Sequence, residues 1–256
     1  MSFMDIRDFS QWLTEQLKLD EFSSFDASMN GLQVSRRSRK ISRLALAVDA
    51  CAEVFQRAAD QDADALLVHH GLFWGKPVAV SGGHYQRLSL LLHHDIALFA
   101  AHLPLDAHPE VGNNAAIAAE LGLKDTEPFG EYHGRMIGCR GTLPRPMTVE
   151  EVLEQLAWDQ EDDVYVLPFG PDRHVSAGII SGGAAKSVQD AIDAGLDLFI
   201  TGENSHQVYH DCLEAGITLI AGGHYRTEVY GLQKLGERIE AETDIKTVFV
   251  DVPTGL

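Results

Sequence analysis

Apolar positions recur along the chain with two periods, and their alternation predicts the architecture. Over 5–18, Ile6, Phe9, Leu13 and Leu17 fall at helical spacing and form the apolar stripe of an amphipathic helix. Short continuous apolar runs follow at Leu44–Val48, Ala65–Val68 and Ile96–Ala101, each of strand length and fit for burial on both faces. Helical segments over about 52–60, 86–94 and 112–121 separate or follow them. The second half repeats the pattern, with strands near Met136–Leu143, Val164–Leu167, Val175–Ile180, Leu198–Thr201 and Ile217–Ala221. Its helices are predicted from Thr148, over about 186–194 and 205–215, and from His224 to Ile239. Thr148 and Glu151 have the spacing of a capping box. Val229, Leu232, Leu235 and Ile239 line the apolar side of the last helix. Strands joined through helices imply crossover units, hence an α/β fold with mixed, largely parallel sheets.

The stretch LGLKDTEPFG (121–130) combines Gly, Pro and charge and marks the best boundary between two domains, 1–127 and 128–256. The two halves look related. Asp64-Ala65-Leu66-Leu67-Val68-His69-His70 aligns with Asp197-Leu198-Phe199-Ile200-Thr201-Gly202-Glu203, and His102-x-x-x-Asp106 falls on His224-x-x-x-Glu228. Polar residues therefore land just beyond a strand in both halves, where open α/β sheets bind ligands.

Composition narrows the chemistry. A hydrophobic fraction of 45% over 256 residues supports a sizeable core. No apolar run approaches bilayer length, and MSFMDIRDFS lacks the basic and apolar regions of a secretory signal. Cys51, Cys139 and Cys212 are isolated and odd in number, which argues against a disulfide framework or a thiolate zinc site and fits the cytoplasm. With 20 basic against 38 acidic residues the formal charge is −18, which disfavours a nucleic-acid partner. The densest basic run, Arg36–Lys40, reads as a solvated loop or as a small phosphate contact. Histidine is the unusual count, 12 in all, many beside Gly, Asp or Glu.

His69-His70 directly follow an apolar run, and Gly71 permits the chain to break there, so both imidazoles can reach one cluster. A polar loop with hydrogen-bonded histidines is the competing reading. His224 and Glu228, at i and i+4 on the last helix, project from one face; they are either paired ligands or an ordinary solvent-facing first turn. Asp106, in a Pro-containing loop, is a ligand or a turn former, and His102 a ligand or, as favoured here, an orienting partner of the ligands. Three histidines and two carboxylates can supply a dinuclear site, and that mixture suits Zn, Fe, Mn or Ni better than Mg or Ca. Glu203, past a strand end, is a candidate proton-transfer residue or a solvated turn residue. Asn30 and Gln33 line the pocket or form a turn, and Phe73 and Trp74 wall the site or pack under the loop. Ser181-Gly182-Gly183 reads mainly as a strand-to-helix turn and is not a P-loop.

The chain resembles the GTP cyclohydrolase I type 2 homologue (NGG-interacting-factor-like) family. The resemblance rests on Asn30-Gly31-Leu32-Gln33, Ala47-Val48-Asp49, Asp64 through Gly75, His102-Leu103-Pro104-Leu105-Asp106, Gly112-Asn113-Asn114, Ser181-Gly182-Gly183, Leu198 through Glu203, and Gly222-Gly223-His224-Tyr225-x-x-Glu228. It implies His69, His70, Asp106, His224 and Glu228 as ligands of two divalent transition-metal ions, two α/β domains facing a shared metal cleft, and a toroidal homohexamer. It also implies a metal-dependent hydrolase acting on a small molecule, with a nucleotide as the candidate. A non-catalytic metal-binding assembly or regulatory protein is the alternative. The continuation Ala184-Ala185, where many relatives carry more glycine, puts a phosphate-cradling role for the Ser181 turn in doubt.

Overall fold

The computed structural model describes residues 3–158 and 164–256; Met1 and Ser2, which open the stretch read for a leader, lie outside these. In chain order the first elements are β1 (Met4–Asp5), α1 (Ile6–Leu17), β2 (Gly31–Val34), β3 (Lys40–Ile41), β4 (Arg43–Asp49), α2 (Ala52–Asp60), β5 (Ala65–His70), α3 (Gly82–His93), β6 (Ala97–Ala100) and α4 (Leu103–Asp106). Next come α5 (Asn113–Glu120), β7 (Lys124–Tyr132), β8 (Arg135–Met147), α6 (Val149–Gln155), β9 (Tyr165–Pro168), β10 (His174–Ile179) and α7 (Val188–Asp193). The chain closes with β11 (Leu198–Thr201), α8 (Tyr209–Ala215), β12 (Thr218–Ala221), α9 (His224–Glu242) and β13 (Lys246–Phe249). It divides into two compact units, 1–105 with 232–252 and 106–231 with 253–256, so one boundary falls inside α9.

In the first unit a five-stranded sheet has the order β13-β4-β5-β6-β2. Its β13–β4, β4–β5 and β5–β6 pairs are parallel, and β2 is an antiparallel edge. The interior parallel strands carry continuous buried apolar runs, Leu44–Val48, Ala65–Val68 and Ala97–Ala100, as strands covered on both faces do. Helix α1 starts on the Asp5 carboxylate, which accepts from the Arg7 amide at 2.9 Å, and buries Ile6, Phe9, Leu13 and Leu17, the four stripe residues. Phe9 meets Phe99 of β6 edge-to-face at 5.0 Å. On the other side Val54, Phe55, Leu66, Val68 and Leu91 form a contiguous core. Strand β2 holds Gln33, placed in a loop by the sequence reading, at a register shift between Leu32 and Val34. Such bulges re-aim a side chain.

The second unit has a six-stranded sheet of order β7-β8-β10-β11-β12-β9, in which only β10–β11 and β11–β12 run parallel. Both sheets are mixed, and the largely parallel character belongs to the first. Residues 124–130, expected as a boundary, lie inside strand β7, whose first five residues are exposed; as an edge strand it tolerates Pro128 and a charged surface. The Thr148–Glu151 capping box forms in both directions at the start of α6. The apolar face of the sheet buries Ile179, Leu198, Ile200 and Ile220 against Val152, Leu156 and Trp158.

The internal repeat is visible in register. Ala65 pairs with Leu44, and Leu198 with Ala177. Immediately before each, an aspartate reaches across to the two amides preceding the partner: Asp64 accepts from the Ser42 and Arg43 amides at 2.8 and 3.1 Å. Asp197 accepts from the Val175 and Ser176 amides at 2.8 and 3.2 Å. The same offset recurs in both units, between β4 and β5 in the first and between β10 and β11 in the second. No helix among the described residues is long and apolar enough to cross a membrane.

Candidate metal centre

In the first unit the chemistry gathers where β5 ends. The strand continues through His70 instead of breaking before the histidine pair, and the ring centroids of His69 and His70 lie 4.7 Å apart. His69 is fully buried and its Nδ1 meets the Ala101 carbonyl at 2.9 Å. His70 Nδ1 meets Asp49 Oδ1 at 2.9 Å, and the two are register partners at the ends of β5 and β4. His102 Nδ1 meets Oδ1 of Asp26 at 2.9 Å. Asp26, whose side chain is 1% exposed, also accepts from the Ser28 amide, the Asn30 side chain and the Leu103 amide at 2.9, 2.8 and 3.2 Å. Burial pushes the Asp26 carboxyl up, but the His102 imidazole and these donors outweigh it and hold the group below the usual range. One ring nitrogen from each of His69, His70 and His102 lies within 4.8 Å of the other two.

The residues around this cluster hold it in place. Asn30 Oδ1 accepts from the His102 amide at 2.8 Å. Gln33 straps the turn after His70, accepting from the Leu72 amide at 2.7 Å and donating to the Met29 carbonyl at 2.8 Å. A Cβ on Gly71 would lie 2.3 Å from Gln33 Nε2, so the glycine lets the Gln33 amide lie this close to the turn. Trp74 donates to the Gly71 carbonyl at 2.9 Å and stands edge-on to His102 at 5.0 Å. Phe73 packs instead on His84 at 5.5 Å.

In the second unit the start of α9 presents a His–Glu pair. His224 Nε2 and Glu228 Oε1 are 3.0 Å apart, and His224 Nδ1 lies 2.6 Å from Glu203 Oε1. The bond to Glu228, opposed by burial and reinforced by Glu203, raises the His224 pKa to about 9. Gly182 at φ +66° passes so near that a Cβ would sit 2.5 Å from Glu228 Oε1 and 3.3 Å from His224 Nε2. Its amide donates to Thr227 Oγ1 at 3.0 Å and its carbonyl accepts from the Gly202 and Glu203 amides. The Ser181 turn thus makes room for carboxylate and imidazole, and Gly182's amide is already engaged by Thr227 of α9. Asp106 is buried, with Oδ1 accepting from the Asn113 side-chain Nδ2 at 2.8 Å and from the Ser181 hydroxyl at 3.0 Å. Asn114 ties the same turn together by accepting from the Ser181 amide at 2.7 Å.

Asp26 and Asp49 had no role in the sequence reading. Asp49 carries a signal, as the last residue of the strand beside His70; Asp26 has none in its local sequence. The basic run is engaged locally: Arg36 pairs with Asp64 and Asp95, Arg39 with Asp5, and the Lys40 ammonium sits over the Phe3 ring.

The family model described as Duf34/NIF3 (NGG1p interacting factor 3) matches residues 4–255. A Deinococcus radiodurans protein named GTP cyclohydrolase 1 type 2 homolog is 44% identical, covering 96% of this chain and 92% of its own. An Archaeoglobus fulgidus protein of the same name is 41% identical over 99% of this chain and 100% of its own. Among solved structures, TTHA1606 from Thermus thermophilus superposes with a TM-score of 0.88 at 38% identity, covering 99% of this chain and 100% of that one. Protein ybgI, titled as of unknown function, reaches 0.90 at 33% identity with the same coverage.

Proposed function

Because the chain belongs to the Duf34/NIF3 family, we propose that it is a dinuclear divalent-metal-binding protein and a metal-dependent hydrolase, with His69, His70, Asp106, His224 and Glu228 as ligands. The observation that carries this reading is the anchoring of the candidate donors. His69, His70 and His224 each have Nδ1 engaged by a carbonyl or carboxylate, the arrangement that fixes the tautomer of metal-binding histidines. Asp106 is fixed on Oδ1 in the same way. Imidazole and carboxylate donors together fit Zn, Fe, Mn or Ni. Two such ions would supply Lewis acidity and lower the pKa of a water.

The chain's own residues would do the rest. Asp49 and the Ala101 carbonyl orient the two β5 imidazoles, and Gly182 leaves the space that Glu228 needs. Glu203, with its side chain 54% exposed, orients His224 and is the candidate proton-transfer group. The name carried by the relatives motivates a nucleotide as substrate, and the family resemblance a homohexamer.

The test is reconstitution with Zn, Fe or Mn followed by a panel of nucleotides and phosphoesters, with His69→Ala as control. Metal-dependent hydrolysis that His69→Ala abolishes supports the reading. Metal bound with no turnover of any substrate leaves the non-catalytic assembly role, and no metal after reconstitution overturns both.

A further inference from the structure

His102 stands outside the five-ligand set, yet it is built as the ligands are. Its Nδ1 is engaged at 2.9 Å by Asp26, as Nδ1 of His69 is by the Ala101 carbonyl and Nδ1 of His70 by Asp49. All three imidazoles and all three acceptors belong to the first unit. A ring nitrogen that donates to such an acceptor leaves the other nitrogen with its lone pair for a cation. The three rings bring one nitrogen each within 4.8 Å of the others. Asp26 is the more deeply buried of the two anchoring carboxylates, 1% exposed against 36% for Asp49, and three further donors fix it. A carboxylate so placed holds His102 in a single orientation, where an exposed one would let it turn.

We propose that His69, His70 and His102 form a three-imidazole site that binds one divalent transition-metal ion within the first unit, without Asp106, His224 or Glu228. Asp26 is the positioning residue of that site. This deepens the dinuclear reading and rests on it for the second ion: the first unit takes up one ion by itself. Neutral nitrogen donors select zinc, cobalt or nickel over magnesium or calcium, whose preferred shells are all oxygen. Three protein ligands also leave a coordination position open, as catalytic zinc sites do.

Cobalt(II) titration of the full-length chain, read by visible absorption and equilibrium dialysis, tests the site. The Asp106→Asn/Glu228→Gln double variant is expected to retain one cobalt per chain. Adding His102→Ala to it should weaken that ion at least 100-fold, and adding Asp26→Asn should weaken it about 10- to 100-fold. If His102→Ala loses the far-ultraviolet circular dichroism of its parent, the isosteric Asp26→Asn decides. A double variant that binds no cobalt while the unsubstituted chain binds two overturns the three-imidazole site and leaves the dinuclear reading standing. Unchanged affinity in folded His102→Ala or Asp26→Asn does the same. An unsubstituted chain that binds no metal overturns both.

Discussion

A Cβ on Gly182 would lie 2.5 Å from Glu228 Oε1. The two residues come from distant parts of the second unit, the turn after β10 and the first turns of α9, and the missing side chain lets the carboxylate lie beside His224. At φ +66° the glycine also occupies backbone space that L-residues rarely adopt.

Gly182→Ala is therefore expected to destabilise the protein by about 1–3 kcal/mol and to displace Glu228. Urea midpoints measure the first effect and metal content the second. Gly183→Ala is the control: its Cβ would meet Glu203 at 3.4 Å, an ordinary contact, and both readouts should stay near the parent values.

Asp64 should carry measurable stability. It accepts from the Ser42 amide and hydroxyl, the Arg43 amide and the Arg36 guanidinium. Burial raises its pKa, but these donors overcome the effect and the carboxyl titrates below its usual range. A lowered folded pKa gives stability that is present above the unfolded value of about 3.9 and is lost as pH falls through the folded one. Asp64→Ala should cost about 2 kcal/mol or more at pH 7 and flatten the loss of stability below about pH 4. Chemical denaturation as a function of pH measures both.

Glu203→Gln should keep the fold, because the side chain is more than half exposed. It replaces a carboxylate with a weaker acceptor at His224 Nδ1, so metal affinity should fall about 10- to 100-fold. Competition with a chromogenic chelator measures the change. An unaltered affinity would leave proton transfer as the only role for Glu203.

Much of the fold was legible in the sequence because it is written in local periodicity. The four stripe residues of α1, the apolar β4, β5 and β6, and the Thr148–Glu151 box each depend on neighbours a few residues away. The Asp64 and Asp197 repeat was legible as an alignment, and register then gave it a physical meaning. Of the edge strands, β9 was legible as Val164–Leu167, but the others were not: β2 and β13 are short and only partly apolar, and β7 is charged because it lies at a sheet edge. At the site the donors could be picked out by type and place, because His and carboxylate residues fall just beyond a strand in both halves. Their supports could not. Asp26 acts on His102 across 76 residues of sequence and nothing local marks it; Gln33 was singled out for the pocket or a turn, but its hold on Leu72, 39 residues on, was not legible. Glycine was legible as a turn at 182, but its necessity comes from Glu228, 46 positions later.

The central claim is that this chain binds two divalent transition-metal ions through ligands that include Glu228. Elemental analysis of metal per chain, on reconstituted wild type and Glu228→Gln side by side, tests it most directly. The amide is isosteric but a weaker metal donor than a carboxylate, so circular dichroism should be unchanged while the ratio falls from about two ions per chain to one or fewer. A folded Glu228→Gln protein that still holds two ions with unchanged affinity, or a wild type that holds none after reconstitution, would contradict the account.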